Sequence, residues 1–79
     1  MYTIDLVEMG KRIQQRRRQQ GFTQEQLAEM MNVSIQMISN LERGNKAIRI
    51  ENLVCLSHCL NTSTDFILTG KENAEDFNI

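Results

Sequence analysis

Two short apolar-periodic runs, separated by only a few residues, constrain the fold of this chain more than any other feature. Residues 23–44 read TQEQLAEMMNVSIQMISNLERG. Thr23 is followed three residues later by Gln26, which is the spacing of a capping box at a helix N-terminus. Ser34 is a second N-cap residue, and Gly44 accepts the left-handed backbone that often ends a helix. The stretch therefore predicts two consecutive short helices.

The connection between these two helices, at about residues 31–33, is too short for them to lie comfortably antiparallel. They should therefore cross steeply, as in a helix-turn-helix. Helices this short are not stable alone, because tertiary packing supplies most of the stability of a short helix. A steeply crossed second helix would stand out from the body of the protein, where it could enter the major groove of DNA, about 12 Å wide.

Three further helices can be predicted from capping residues and apolar periodicity. We expect helix 1 at about residues 5–20, helix 4 at about residues 50–60, and a short helix 5 between Ser63 and Gly70. The apolar residues Phe66, Ile67 and Leu68 should pack within helix 5. The fold class is thus all-α, a compact five-helix domain over residues 1–70 followed by an acidic tail at residues 71–79.

The charge of the chain is unevenly distributed. Residues 1–49 contain eight Lys/Arg and five Asp/Glu, a net charge of +3, whereas residues 50–79 contain one Lys and five Asp/Glu, a net charge of −4. A local basic face matters more for binding phosphate than the total net charge of −1 does.

No apolar run approaches the ~20 residues that span a bilayer. Since the N-terminus also lacks the pattern of a secretory signal, we expect a cytoplasmic protein.

The central stretch resembles the helix-turn-helix of the Cro and lambda-repressor-like regulators, the xenobiotic-response-element family. The similarity extends upstream through IQQRRRQQGFT and downstream through IENLVCLSHCLNTSTDFILTG, so that it covers about residues 9–70. The resemblance implies a five-helix bundle that binds operator DNA as a dimer. It further implies a transcriptional regulator that inserts helix 3 into the major groove. Since the sequence has a single His and no Gly-rich phosphate loop, we expect no enzymatic activity and no cofactor.

The resemblance also implies roles for individual side chains. Gln24 matches a glutamine that clamps a DNA phosphate and braces the reading helix. Ser34 and Ser39 are close enough to reach phosphate. The residues that match base-facing positions are Ile35, Gln36 and Asn40, and those in the loop laid along the DNA backbone are Arg43, Asn45 and Lys46.

Gln36 is the strongest candidate among the base-facing residues, because a glutamine amide can pair bidentately with adenine. Arg17 matches an arginine that forms an ion pair with a glutamate, here Glu42, in a structural role.

Four positions depart from the family pattern. Ile35 is apolar where many members carry a polar side chain that reads bases, and it could contact a thymine methyl group. Arg16 replaces a leucine, so we expect helix 1 to lose a core contact there. Ile48 and Arg49 replace a proline and a serine N-cap, so we expect a weaker start to helix 4.

Two other groups of residues have alternative interpretations. The basic run KRIQQRRRQQ could bind phosphate, but apart from Arg17 we expect it to form a solvated helix face. Cys55, His58 and Cys59 have a spacing that could offer three metal ligands on one helix. Structural zinc takes four ligands, and the chain has no other Cys or His, so we expect half-buried cysteines and no metal site.

The sequence leads to one principal functional hypothesis and two alternatives. The principal one is a repressor that binds double-stranded operator DNA as a homodimer, with the dimer surface formed by Phe66, Ile67, Phe77 and Ile79. The first alternative is a protein-interaction module of the same fold, such as an antitoxin or a partner-binding regulator. The second is a metal or redox sensor that uses the Cys and His residues of helix 4.

Overall fold

The computed structural model describes residues 3–71, which form five α-helices. The helices are α1 (Leu6–Gln19), α2 (Gln24–Met31), α3 (Ile35–Arg43), α4 (Ile50–Cys59) and α5 (Thr64–Thr69). No strand occurs within residues 3–71. The all-α five-helix fold predicted from the sequence is confirmed, with each helix end within one residue of its expected position. The tail lies outside the described range except for Lys71.

Side-chain caps determine where most of these helices begin. Asp5 accepts hydrogen bonds from the backbone N–H groups of Val7 and Glu8, each at 3.1 Å. Both halves of the capping box at Thr23 are present, and the Ser34 hydroxyl accepts from the backbone of Met37 at 3.1 Å. The N-cap of α4, Arg49, makes no side-chain capping bond, as its departure from serine predicted.

The core lies where the five helices meet. α1 packs against α3 and α5, α2 packs against α3 and α4, and α4 packs against α5. Ten apolar side chains are buried at the centre: Met9, Ile13, Leu27, Ala28, Met31, Ile38, Leu41, Leu56, Leu60 and Ile67. This core includes residues of both α2 and α3, so the way that α2 lies against α3 is fixed by packing rather than by helix propensity.

A close approach between α1 and α3 depends on Gly10, which the sequence analysis did not identify. A Cβ atom at this position would lie 2.5 Å from the backbone carbonyl oxygens of both Leu41 and Glu42. Those atoms belong to the last turn of α3 and cannot rotate away as a flexible side chain could. Glycine therefore allows α1 to lie directly against the backbone of α3.

The basic residues of α1 correct one expectation. Arg16 is not part of the apolar core, but it donates to the carbonyl oxygens of Leu60 and Asn61 at 2.9 and 2.8 Å and so joins α1 to the end of α4. Arg12 donates to the carbonyl oxygens of Ile67 and Leu68, each at 3.0 Å. These arginines satisfy carbonyl groups at helix C-termini, which is a favourable place for a cation. The expectation of a solvated basic face was therefore wrong for these two residues.

The expected dimer surface on helix 5 was wrong for Ile67. That side chain is only 1% exposed, because it faces the core between α1, α4 and α5. Phe66 is half-buried, while Phe77 and Ile79 lie outside the described residues. Ile67 therefore contributes to the stability of the monomer and is not accessible to a partner.

Candidate nucleic-acid interface

One face of α3 is open to solvent while its opposite face is buried. Ile38 and Leu41 are 0% and 1% exposed and anchor the helix in the core. Ile35 and Gln36 are exposed at its N-terminal turn, with Asn40 half-exposed one turn further on. The Ser34 N-cap fixes where the helix starts and therefore which side chains share this outer face. The predicted base-facing residues are thus all at the surface of one helix.

Hydrogen bonds connect side chains along the outer face of α3. The Nε2 atom of Gln36 donates to the Oδ1 atom of Asn40 at 3.4 Å. Three residues further along the helix, the Nη2 atom of Arg43 donates to the Oγ atom of Ser39 at 2.6 Å. Both pairs are spaced four residues apart, the distance at which helical side chains meet. The polar groups on this face are therefore partly oriented before any ligand arrives.

The charge around α3 is positive although the chain as a whole is slightly acidic. Arg43, Lys46 and Arg49 are exposed at the end of α3 and in the loop that follows. Glu42 is the one acidic residue between positions 30 and 50, and it is buried. Asn45 is also exposed in this loop. A polar helix face followed by three exposed cations is suited to a polyanion.

Glu42 anchors the end of α3 to two other helices. Its side chain is 2% exposed and accepts from Arg17 twice, at 2.6 Å from Nε and at 3.1 Å from Nη2. Arg17 also donates to the carbonyl oxygen of Phe22 at 2.7 Å. The side-chain amides of Gln14 and Gln24 also donate to the Oε1 atom of Glu42, at 3.3 and 3.0 Å. The ion pair predicted from the sequence is thus present and belongs to a larger buried network.

Gln24 lies at the first position of α2 and is half-buried. Its amide nitrogen donates to Glu42 and so braces the end of α3, while the backbone N–H groups of the first turn of α2 lie beside it. Unpaired N–H groups at a helix N-terminus are suited to binding an anion such as phosphate. The sequence did not reveal that Gln24 would contact Glu42, because the two are 18 residues apart.

Among the described residues, the cysteines of α4 are not part of a candidate metal site. Within residues 3–71 no group of three His, Cys, Asp or Glu side chains is arranged to hold a metal ion. Cys55 and Cys59 are half-buried free thiols, and His58 is exposed. Burial, followed by the neighbouring Cys55, raises the pKa of the Cys59 thiol. Since the thiolate is the form that binds metals, the metal-sensor alternative receives no support from this geometry.

A family model described as "Helix-turn-helix" matches residues 13–67, which is most of the chain. This chain belongs to the Cro/lambda-repressor-like helix-turn-helix family. The resemblance seen in the sequence is therefore confirmed. Members of this family are DNA-binding transcriptional regulators rather than enzymes, which agrees with the prediction of a non-enzymatic protein.

Individual relatives agree with the family assignment. The transcriptional regulator ImmR of Bacillus subtilis is 35% identical over 72 residues, covering 91% of this chain and 56% of ImmR. The solved c2 repressor of Salmonella phage P22, in complex with a synthetic operator, is 40% identical with a TM-score of 0.77. That match covers 80% of this chain and 96% of the solved chain.

A third similar protein is the Bacillus subtilis biofilm regulator SinR, solved in complex with DNA. It is 30% identical with a TM-score of 0.71, and the match covers 75% of this chain and 95% of the SinR chain.

The chain is shorter than the regulator ImmR and spans only 56% of its length. In the part of the chain that is described, no helix has the length and apolarity required to cross a bilayer.

Proposed function

We propose that this chain is a sequence-specific transcriptional regulator, acting as a repressor in the cytoplasm, that reads double-stranded operator DNA with α3. The observation that carries the proposal is the outer face of α3. It presents Ile35, Gln36 and Asn40 on a helix whose end is anchored through Glu42. An α-helix that has one face exposed at the surface of its domain fits the major groove, where base edges can be distinguished.

The remaining predicted residues would contact the DNA backbone. Ser34 and Ser39 lie beside the base-facing residues, and the exposed Arg43, Asn45 and Lys46 follow at the end of α3. In this arrangement Gln24 and the first turn of α2 contact a phosphate on the other side of α3. Phosphate contacts of this kind set register and orientation, whereas the base-facing side chains set the sequence.

Relatives supply independent support for DNA as the ligand. The P22 c2 repressor and SinR were both solved on DNA, and they match this chain at 40% and 30% identity over most of its length. Two relatives are named as repressors, the P22 protein and the competence pilus inhibition repressor of Acinetobacter baylyi. These names support the repressor role proposed for this chain.

We further propose that the chain binds its operator as a homodimer. A single nine-residue α3 can contact only a few base pairs, so two copies on half-sites ~34 Å apart would be needed for a specific site. Ile50 and Val54, one turn apart on α4, are 78% and 46% exposed. They are flanked by Arg49 and Glu51, whose opposite charges could pair across a two-fold axis.

The proposed contact on α4 is small compared with the ~800 Å² that each partner buries in a typical stable interface. The dimer should therefore be weak in solution and form mainly on DNA. Ile50→Asp should abolish cooperative binding to a duplex with two half-sites but leave binding to one half-site unchanged. Met30→Asp is the matched control, because Met30 is 47% exposed but lies on α2. Equal cooperativity in the wild type and Ile50→Asp would refute this surface.

The experiment that tests the function is selection of bound duplexes from a randomised pool at moderate salt. Wild-type protein should enrich a two-fold symmetric motif, and Gln36→Ala should lose enrichment at one base pair in each half-site while remaining folded. A folded wild-type protein that enriches no motif would refute the proposal.

The protein-interaction module remains a second candidate, because Ile35 is 46% exposed on the outer face of α3. An exposed apolar side chain there could equally contact a protein partner. Under that alternative, Gln36→Ala would leave any DNA binding unchanged, and Ile35→Ala would weaken binding to the partner.

A further inference from the structure

A basic cavity lies on the side of α1 that is turned away from α3. Gly10, Gln14 and Arg17 are the residues through which α1 contacts α3, and the cavity opens on the opposite side of the helix. The cavity has a volume of about 450 Å³. It is lined by two guanidinium groups, two amides, a hydroxyl group and an aromatic ring, which belong to Arg12, Gln15, Arg16, Gln19, Thr62 and Phe66.

The two arginines in the wall of this cavity are held in position by other hydrogen bonds. Arg12 donates twice to carbonyl oxygens at the C-terminal end of α5, and Arg16 donates twice to carbonyl oxygens at the C-terminal end of α4. Arg16 also donates to the side chain of Gln19 at 3.1 Å. Because a guanidinium carries five N–H donors, three on Arg12 and two on Arg16 have no acceptor within residues 3–71.

The positive charge of this pair is not balanced by a neighbouring carboxylate. Within residues 3–71 ion pairs occur only between Lys11 and Glu8 and between Arg17 and Glu42. Arg12 and Arg16 are half-buried and four residues apart, so their side chains leave α1 one turn from each other. Two fixed guanidinium groups with free donors, set in a concave site, favour an anionic ligand that brings more than one carboxylate.

The chain itself supplies such an anionic segment beside the cavity. Residues 72–79, which lie outside the described range, read ENAEDFNI and contain three carboxylates and no cation. The C-cap of α5, Gly70, lies next to Arg12, since a Cβ atom built on this glycine would be 3.3 Å from the Nη1 atom of the arginine. The acidic segment therefore begins two residues after a point of contact with the cavity wall.

The tether is long enough to reach both arginines and short enough to favour binding within one chain. An extended chain spans at most ~3.6 Å per residue, so Glu72 can lie up to ~7 Å from Gly70 and Asp76 up to ~22 Å. Arg12 and Arg16 are separated by about one helical turn, ~5.4 Å along the axis. A short flexible tether gives an effective concentration in the millimolar range, so a contact too weak to join separate molecules is populated within one molecule.

We propose that the acidic segment, residues 72–79, docks in this cavity of its own chain. Its carboxylates pair with the guanidinium groups of Arg12 and Arg16, and the ring of Phe77 packs against the half-buried ring of Phe66. This docking holds three negative charges on the side of α1 opposite α3, away from the surface proposed for DNA. The proposal goes beyond the proposed function, and it stands or falls independently of DNA binding.

The first test compares the full chain with a variant in which Glu72→Gln, Glu75→Gln and Asp76→Asn remove the three negative charges. These three amide substitutions change no residue of the five helices, so the fold is retained. In nitrogen-15 spectra the Nε–H signals of Arg12 and Arg16 should shift between the two proteins. The signal of Arg18, which is exposed on α1 and does not line the cavity, should stay in place. Unchanged signals of Arg12 and Arg16 would overturn the proposal.

The second test follows the segment itself. Since the chain has no Trp, Phe77→Trp introduces a single indole whose fluorescence quenching by acrylamide reports its exposure. With about half of the molecules docked, quenching should be roughly twofold weaker than in the same protein carrying the three amide substitutions. Arg12→Gln with Arg16→Gln should remove this protection, as should ~1 M salt, where the Debye length is only ~3 Å.

Arg18→Gln is the matched control, because it removes one cation from the exposed surface of α1 without changing the cavity. It should retain the protection of the indole. Circular dichroism confirms that each arginine variant is folded before quenching is compared. Equal quenching with and without the three carboxylates would overturn the proposal. Protection that increases with protein concentration would also overturn it, because the segment would then occupy the cavity of a second copy.

Discussion

Replacing Arg17 by methionine is the perturbation that best tests how α3 is held in position. Arg17 makes two hydrogen bonds to the carboxylate of Glu42 and one to the carbonyl oxygen of Phe22. The two charged side chains are 9% and 2% exposed. Methionine conserves most of the apolar stem of arginine but leaves the Glu42 carboxylate buried without its cation.

The expected cost follows from what remains around Glu42. Removing one partner of a buried ion pair typically costs about 3–5 kcal/mol. The amides of Gln14 and Gln24 still donate to Glu42, so the lower end of this range applies, about 3 kcal/mol. For a domain of this size, that change should lower the melting temperature by about 15 °C or more.

The assay is thermal and urea unfolding followed by circular dichroism at the helical band. Lys11→Met is a matched control, because it breaks an ion pair with Glu8 on the same helix whose side chains are 67% and 54% exposed. Such an exposed pair contributes less than about 1 kcal/mol. If Arg17→Met and Lys11→Met destabilise the protein equally, the reasoning that the buried network holds α3 is wrong.

Three further predictions concern packing, capping and base contact. Gly10→Ala should lower the free energy of unfolding by roughly 2 kcal/mol, because the added Cβ would lie 2.5 Å from the Leu41 carbonyl oxygen. A variant as stable as the wild type in thermal unfolding would contradict this. Arg49→Ser should raise the free energy of unfolding by about 1 kcal/mol, because α4 lacks a side-chain cap at its N-terminus. An unchanged midpoint of urea unfolding would contradict this prediction. Replacing thymine by uracil in the selected duplex should weaken wild-type binding severalfold through loss of a methyl contact with Ile35, and Ile35→Ala should be insensitive to the change. Equal sensitivity in both proteins would exclude that contact.

The helix boundaries could be predicted because their signals are local. Thr23 and Ser34 each act on backbone groups within three residues, so the sequence contains the whole interaction. Once the start of α3 is known, its 3.6-residue period identifies the outer face. Ile35, Gln36 and Asn40 were named from the resemblance to the family, and the structure places them on this face, opposite the buried Ile38 and Leu41. Their roles at DNA remain predictions.

The errors concern contacts between residues distant in sequence. The hydrogen bonds of Arg16 were not foreseen, because the carbonyl groups that it contacts are 44 and 45 residues away. Ile67 was placed on the dimer surface, because a six-residue helix has too few turns for its periodicity to show which side is buried. Gly10 gave no signal at all, since its importance comes from the backbone of α3.

The central claim is that the outer face of α3 reads bases in the major groove. Its most direct test is methylation protection of the selected duplex by dimethyl sulfate, which modifies guanine N7 in the major groove and adenine N3 in the minor groove. Wild-type protein should protect guanine N7 positions within each half-site and leave adenine N3 positions reactive. Protection of adenine N3 without guanine N7 would contradict the claim.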